Sequence, residues 1–243
     1  MCTVSYLPVR DGFVLTHNRD EAPSRSLHGL ARSGPLLFPK DAKAGGTWIA
    51  TARSGRTACL LNGAFVKHRH QPPYRRSRGL VLLDFFEWPE PNDFFEQYDL
   101  NGIEPFTFLF LGQERIVELR WDGDHRHLAE RPTEQPHFWC SATLYPPDMQ
   151  VQREQVFRNW LGTDKHVTAG RLPAAIFRLH LQGSVGDPEN DFVMNRAEHV
   201  RTVSVTQVVR RAAGASMRYI DLLNGGGAVR KRITENRQEN RTI

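Results

Sequence analysis

The chain is poor in cysteine, with three (Cys2, Cys59 and Cys140) among 243 residues. So small and odd a count excludes a disulfide framework and makes a reducing, cytoplasmic setting the default expectation. Long apolar runs are missing as well. The longest, GLVLLDFF and FTFLFLG, fall far short of the roughly 18 residues a membrane span needs, and they read as core elements. No secretory signal is legible at the start, because Arg10, Asp11 and Gly12 interrupt the apolar stretch. Neither sign of charge dominates: 32 Lys and Arg stand against 27 Asp and Glu, a formal net charge of +5. The densest basic clusters are KHRHQPPYRRSR at 67–78 and VRKRI at 229–233. Both lack the interleaved aromatics of a single-strand platform, so no nucleic-acid partner is expected. They read first as solvated faces and second as a rim around a pocket for an anionic small molecule.

Absent motifs exclude further chemistries. AGG at 44–46 and GGG at 225–227 have neither phosphate-loop nor dinucleotide spacing, so no nucleotide cofactor is implied. The ten histidines are scattered. His68-Arg-His70 and His125-Arg-His127 set imidazoles two apart without a completing Cys or carboxylate cluster, so no metal is expected. No Gly-x-Ser-x-Gly elbow supports a serine hydrolase.

What is present is alternation. CTVSYLPV, an Arg-Asp-Gly turn and FVLTHN predict an opening hairpin. A loop follows to about Lys43, then a second hairpin from GGTWIATA and TACLLNG around the turn at 53–56. Helical spacing covers 77–88, and Phe94 and Phe95 mark a second short helix. FTFLFLG and RIVELRWDG form another strand pair, and HFWCSATLY reads as one more strand. Helices are expected at 150–160 and 172–181. VRTVSVTQVV then pairs with SMRYIDLL, and the polar tail after Gly227 is expected to fray. This order describes an α+β protein with antiparallel sheets stacked beneath helices. No repeat or linker divides it, so one domain over 1–243 is expected.

The start of the chain carries the chemistry. Met1 is removed from nascent chains when the next residue is small, which would leave Cys2 with a thiol and a free α-amine. The thiol has a pKa near about 8.5 and the amine near about 8, so the amine can take the thiol proton and later return it to a leaving amine. The returning strand of the hairpin brings Asn18, Arg19 and Asp20 back beside Cys2. Arg19 is expected to lower the thiol pKa, and Asp20 to hold the amine. Asn62, at the end of the second hairpin, offers a side-chain NH₂ to an oxyanion. Taken singly, Asn62-Gly63 is a turn dipeptide and Arg19-Asp20 a loop ion pair. Together with Cys2 they make a candidate site.

MCTV, NRDEAP at 18–23, GGTW at 45–48 and LLNG at 60–63 resemble the NRDE family, the transport and Golgi organisation family. SRGL at 77–80 and TVSVT at 202–206 extend the likeness over about residues 1–210. That resemblance implies an N-terminal-nucleophile hydrolase fold, a four-layer αββα sandwich. The penicillin V acylases and conjugated bile-salt hydrolases also begin Met-Cys-Thr and cleave amide bonds. By that likeness Cys2, Arg19, Asp20 and Asn62 are the candidate catalytic residues, with Arg201 as the late arginine. Asn18, Glu21 and Trp48 join Arg201 as candidate substrate contacts. Those acylases keep two residues between their Arg and Asp, whereas Arg19 and Asp20 are adjacent here, so Glu21 competes for the acidic role. Ser141-Ala142 supplies no second pocket asparagine. The implied activity is hydrolysis of a linear amide without a cofactor. The alternative is a non-catalytic protein that binds or traffics a lipid or haem, as the family has been linked to both. Trp48, Phe65 and Phe138-Trp139 are candidates for an apolar slot, with Arg25 or Lys67 for an anionic end.

Overall fold

The computed structural model describes residues 2–25, 29–41, 43–163, 171–197, 199–225 and 227–234. The opening hairpin is β1 (Cys2–Val9) and β2 (Gly12–Glu21), followed by β3 (Ala31–Ser33), β4 (Leu36–Phe38), β5 (Ile49–Ala52) and β6 (Thr57–Asn62). Helices α1 (Arg78–Phe85) and α2 (Pro91–Gln97) lead into β7 (Phe106–Leu111), β8 (Ile116–Trp121), β9 (Arg126–Arg131) and β10 (His137–Cys140). Then come α3 (Pro147–Thr163), α4 (Leu172–Gln182), β11 (Asn195–Arg196), β12 (Val200–Arg211), β13 (Gly214–Asp221) and β14 (Val229–Thr234).

The strands form two antiparallel sheets. One runs β10-β1-β2-β12-β13-β14, with β11 beside β12; the other is the meander β3-β4-β5-β6-β7-β8-β9. Their inner faces share one core, with Val4, Tyr6 and Leu15 from the first sheet meeting Leu37, Ile49, Leu61 and Leu109 from the second. The outer face of the second sheet is closed by α1 and α2, whose Phe85, Phe94 and Phe95 pack on Phe106, Phe108 and Phe110. The outer face of the first is closed by α3 and α4 through Phe157, Ile176 and Leu179 on Leu7 and Val14. The result is the four-layer αββα sandwich. Because β2 is covered on both faces it is buried nearly end to end, and strict alternation decides which neighbour each residue meets. Phe13, Leu15, His17, Arg19 and Glu21 look between the sheets; Val14, Thr16, Asn18 and Asp20 look toward the helices.

Four features differ from the sequence expectation. The loop to Lys43 contains β3 and β4, three residues each and too short for alternation to show. β9 lies at a sheet edge, and its polar RHLAER hides the strand pattern. The strand expected over HFWCSATLY stops at Cys140, because the Ser141 carbonyl accepts turn bonds from Leu144 (3.2 Å) and Tyr145 (3.1 Å). The tail does not fray at once: β14 pairs with β13 and buries Ile233 in the inter-sheet core. Residues 235–243 lie outside those described, as does Met1.

Candidate functional site

Antiparallel pairing sets Cys2 directly opposite Arg19, so both side chains leave the sheet on the same side. They enter a cavity of ≈ 370 Å³ at the end of the inter-sheet space. Glu21, Trp48 and Asn62 line it too, so Cys2, Arg19, Glu21, Trp48 and Asn62 of the sequence candidates converge there. His17 helps to set the gap between the sheets: its Nε2–H donates across to the Leu60 carbonyl at 3.1 Å, two residues before Asn62.

Arg19 is buried and held on three sides. Its guanidinium lies 4.1 Å from the centre of the Trp48 ring, donates to the Arg25 carbonyl at 2.6 Å, and forms an ion pair with Asp41. Asp41 also receives Arg25 at 2.6 Å, while Arg25 reaches Glu21 at 2.8 Å. Two guanidiniums and two carboxylates thus interlock beside Cys2. The loop that carries Asp41 is seated by glycine. A Cβ on Gly46 would lie 2.4 Å from the Gly79 carbonyl carbon, and the Thr47 N–H donates to the Gly79 carbonyl at 3.1 Å. GGTW and SRGL are therefore two halves of one backbone contact. On the far wall, Arg78 pairs with Glu104 at 2.9 Å and Arg76 with Asp84.

Three sequence candidates lie away from the cavity. Asp20 points to the helix side, where it accepts from Tyr145 Oη at 3.0 Å and Thr202 Oγ1 at 2.7 Å. Burial pushes its carboxyl up, and the nearby Arg153 charge and those hydroxyls oppose the rise. Glu21, not Asp20, is the acid of β2 that faces the cavity. Asn18 also faces the helices. Its Nδ2 donates to the carbonyls of His180 (2.9 Å) and Phe192 (2.7 Å), which leaves Oδ1 to accept His180 Nδ1–H at 2.6 Å. With Ser5 Oγ 2.7 Å from His180 Nε2, the set mimics a nucleophile relay. All three residues are fully buried, however, and burial drives the imidazole down to about 3, so it is a neutral structural post. Arg201 is the second residue of β12 and donates to the Ala197 carbonyl at 3.0 Å, outside the cavity lining.

Arg19 pulls the Cys2 thiol down, as expected, but it is not the largest influence. Burial pushes the Cys2 thiol up and outweighs the Arg19 guanidinium, whose charge Asp41 already engages. Of the proposed apolar slot, Trp48 alone lines this cavity. Trp139 donates to Glu118 at 2.8 Å, Phe138 packs toward α3, and Phe65 and Lys67 border a separate surface hollow. Arg25 does reach the cavity. Sequence reasoning missed Asp41, Glu104 and the buried Arg153, and took Arg78 only as part of a basic run that could rim a pocket. Only Asp41 carries a local signal, an aspartate heading a Gly-Gly turn whose Oδ1 accepts from the Lys43 and Ala44 N–H groups, both at 3.0 Å. Among the described residues no group of three or more His, Cys, Asp or Glu could hold a metal, and no helix is long and apolar enough to cross a membrane.

Two sheets packed face to face between helices define a fold like that of the N-terminal-nucleophile hydrolases. Solved structures agree on the fold. The Caenorhabditis elegans ortholog of N-acylethanolamine-hydrolyzing acid amidase is similar with a TM-score of 0.57 at 11% identity, covering 86% of this chain and 92% of that one. A mutant conjugated bile acid hydrolase from Clostridium perfringens is similar at 0.54 and 9% identity, covering 97% of both chains. A second variant of that hydrolase matches at 0.54 and 10% identity, again covering 97% of both. The chain belongs to the Transport and Golgi organisation 2 (TANGO2) family, whose family model matches residues 1–123. That span contains every residue lining the Cys2 cavity. No curated protein matches the chain.

Proposed function

We propose that the protein is an amidohydrolase that cleaves a linear C–N amide bond with Cys2 as nucleophile once Met1 has been removed. The observation that carries this reading is the placement of Cys2 in the cavity opposite Arg19, with Asn62 on the same lining. Because burial holds the thiol in its protonated form, attack needs a base, and the α-amine of Cys2 is the group on the same residue that can serve. The amine takes the Sγ proton as Sγ attacks the carbonyl carbon, and the Asn62 NH₂ donates to the resulting oxyanion. Collapse breaks the C–N bond, the ammonium returns its proton to the leaving amine, and a thioester remains. Water, deprotonated by the same amine, then releases the acid and restores the thiol. Glu21, the acid of β2 on the cavity side, is assigned the role of orienting that amine. Four arginines and three carboxylates stand in the lining beside Trp48 and Leu60, which favours an amide that carries a polar or charged group. The expected setting is the cytoplasm. The test is hydrolysis of a panel of linear amides, with rapid acid quench and mass measurement of the Cys2 peptide. A thioester adduct that is absent in Cys2→Ala supports the reading; turnover that survives Cys2→Ala overturns it.

Two observations favour a second reading. The thiol is pushed up, and Ser141 Oγ, where a second oxyanion donor would stand, already donates to the Asn62 carbonyl at 2.7 Å. A non-catalytic carrier of a lipid or haem on the same scaffold fits both facts. Saturable binding of either ligand, undisturbed by Cys2→Ala, would support that alternative.

A further inference from the structure

The four-charge cluster beside Cys2 contains a residue that the hydrolase reading does not use. Asp41 is almost wholly buried, and its position is fixed by backbone rather than by its ion pairs. Its N–H donates to the Gly46 carbonyl at 2.8 Å, its carbonyl accepts the Gly45 N–H at 2.7 Å, and Oδ1 accepts two further N–H groups. The other oxygen, Oδ2, takes both Arg19 and Arg25. Since the loop is clamped to α1 through Gly46 and Gly79, the carboxylate is a preset counter-charge that waits for the arginines.

We propose that Asp41 is a positioning residue for the Cys2 reaction: it locks the Arg19 guanidinium over Trp48 and neutralises the charge that Arg19 presents to the thiol. The proposal rests on the reading of Cys2 as a reactive nucleophile. The charged groups around Cys2 are the N-terminal amine, Arg19 and Glu21 from β2, Arg25 and Asp41 from the following segment, Arg76, Arg78 and Glu104 across the cavity, and Asp20 behind the strand. Arg78 and Glu104 are paired with each other, and Arg25 and Glu21 likewise. Arg19 is the guanidinium whose charge bears on the thiol, and Asp41 is the carboxylate that holds it. Removing the carboxylate leaves one guanidinium in excess, which favours the thiolate; removing Arg25 leaves one carboxylate in excess, which disfavours it.

The test is the pH dependence of iodoacetamide labelling at Cys2 in the full chain, followed by peptide mass, with Cys59 as the buried internal standard. In Asp41→Asn, whose amide can still accept the turn N–H bonds, the inflection should move to lower pH by about one unit. Labelling below the inflection should then rise about tenfold. Arg25→Gln should move the inflection to higher pH. Unchanged inflections, or shifts in the same direction for both variants, would overturn the role of Asp41 while leaving Cys2 as nucleophile. If Asp41→Asn unfolds, Cys59 labels as fast as Cys2, and the sign of the Arg25→Gln shift alone decides. A wild-type Cys2 that labels no faster than Cys59 removes the nucleophile reading, and this inference with it.

Discussion

At the scale of single residues, parity along one strand decides which of the candidates face the cavity. Arg19 and Asp20 are neighbours in sequence but belong to different halves of the molecule, one beside Cys2 in the cavity and the other under Tyr145 and Thr202. Composition can nominate both; only strand alternation separates them, and Glu21 falls on the cavity side with Arg19. Asn62 has the same status. Its backbone carbonyl is engaged by Ser141 and the residue lines the cavity, which makes its NH₂ the candidate donor to an oxyanion. Asn62→Ala should therefore lower kcat on an amide substrate about 10²–10³-fold with a smaller change in KM. Steady-state kinetics beside an unchanged melting curve checks this, and an unaltered kcat would take Asn62 out of the oxyanion site.

At the scale of elements, two buried imidazoles join parts that no hydrophobic pattern links. His17 ties β2 to β6 across the core, and His180 ties α4 to β1 and β2. Burial depresses both from the ordinary 6.5 to about 3 in the folded protein. Between pH 6.5 and about 3 the unfolded chain binds these protons and the folded one does not, so stability falls as pH falls through that window. The pair should make the protein about 4 kcal/mol less stable at pH 5 than at pH 7. Urea unfolding at the two pH values measures this, and His180→Gln should flatten the slope by about half. The seating of the Asp41 loop gives a second prediction at this scale. Gly46→Ala would drive a Cβ into the Gly79 backbone, so it should cost about 1–3 kcal/mol and slow Cys2 labelling by displacing Asp41. A melting temperature equal to wild type would mean that the loop and α1 are not clamped there.

At the scale of the whole molecule, the sequence shows its elements more readily than their neighbours. The opening hairpin, the strand pairs at β5–β6, β7–β8 and β12–β13, and all four helices can be read from alternation and helical spacing. The partnerships of β1 with β10 and of β2 with β12 cannot, because each joins segments more than a hundred residues apart whose patterns carry no register. Those partnerships bring Arg153 to Thr3 and Tyr145 to Asp20, so the polar layer beneath the reactive strand is invisible in the sequence. In the cavity, Cys2, Arg19, Asn62 and Trp48 announce themselves by motif. Asp41 and Arg78 do not, since a surface turn or a helix start explains each equally well until the two sheets close on them. The family match and the αββα fold agree with the site, but a fold of this kind hosts more than one activity, and the reactive group must decide.

That decision rests on one experiment: the intact mass of the purified full chain, before and after brief iodoacetamide treatment, with Cys2→Ala as control. The account predicts that the mass of Met1 is missing and that one carbamidomethyl group is added quickly in wild type and not in the control. A retained Met1, or labelling at Cys2 no faster than at Cys59 and Cys140, would contradict an N-terminal cysteine nucleophile.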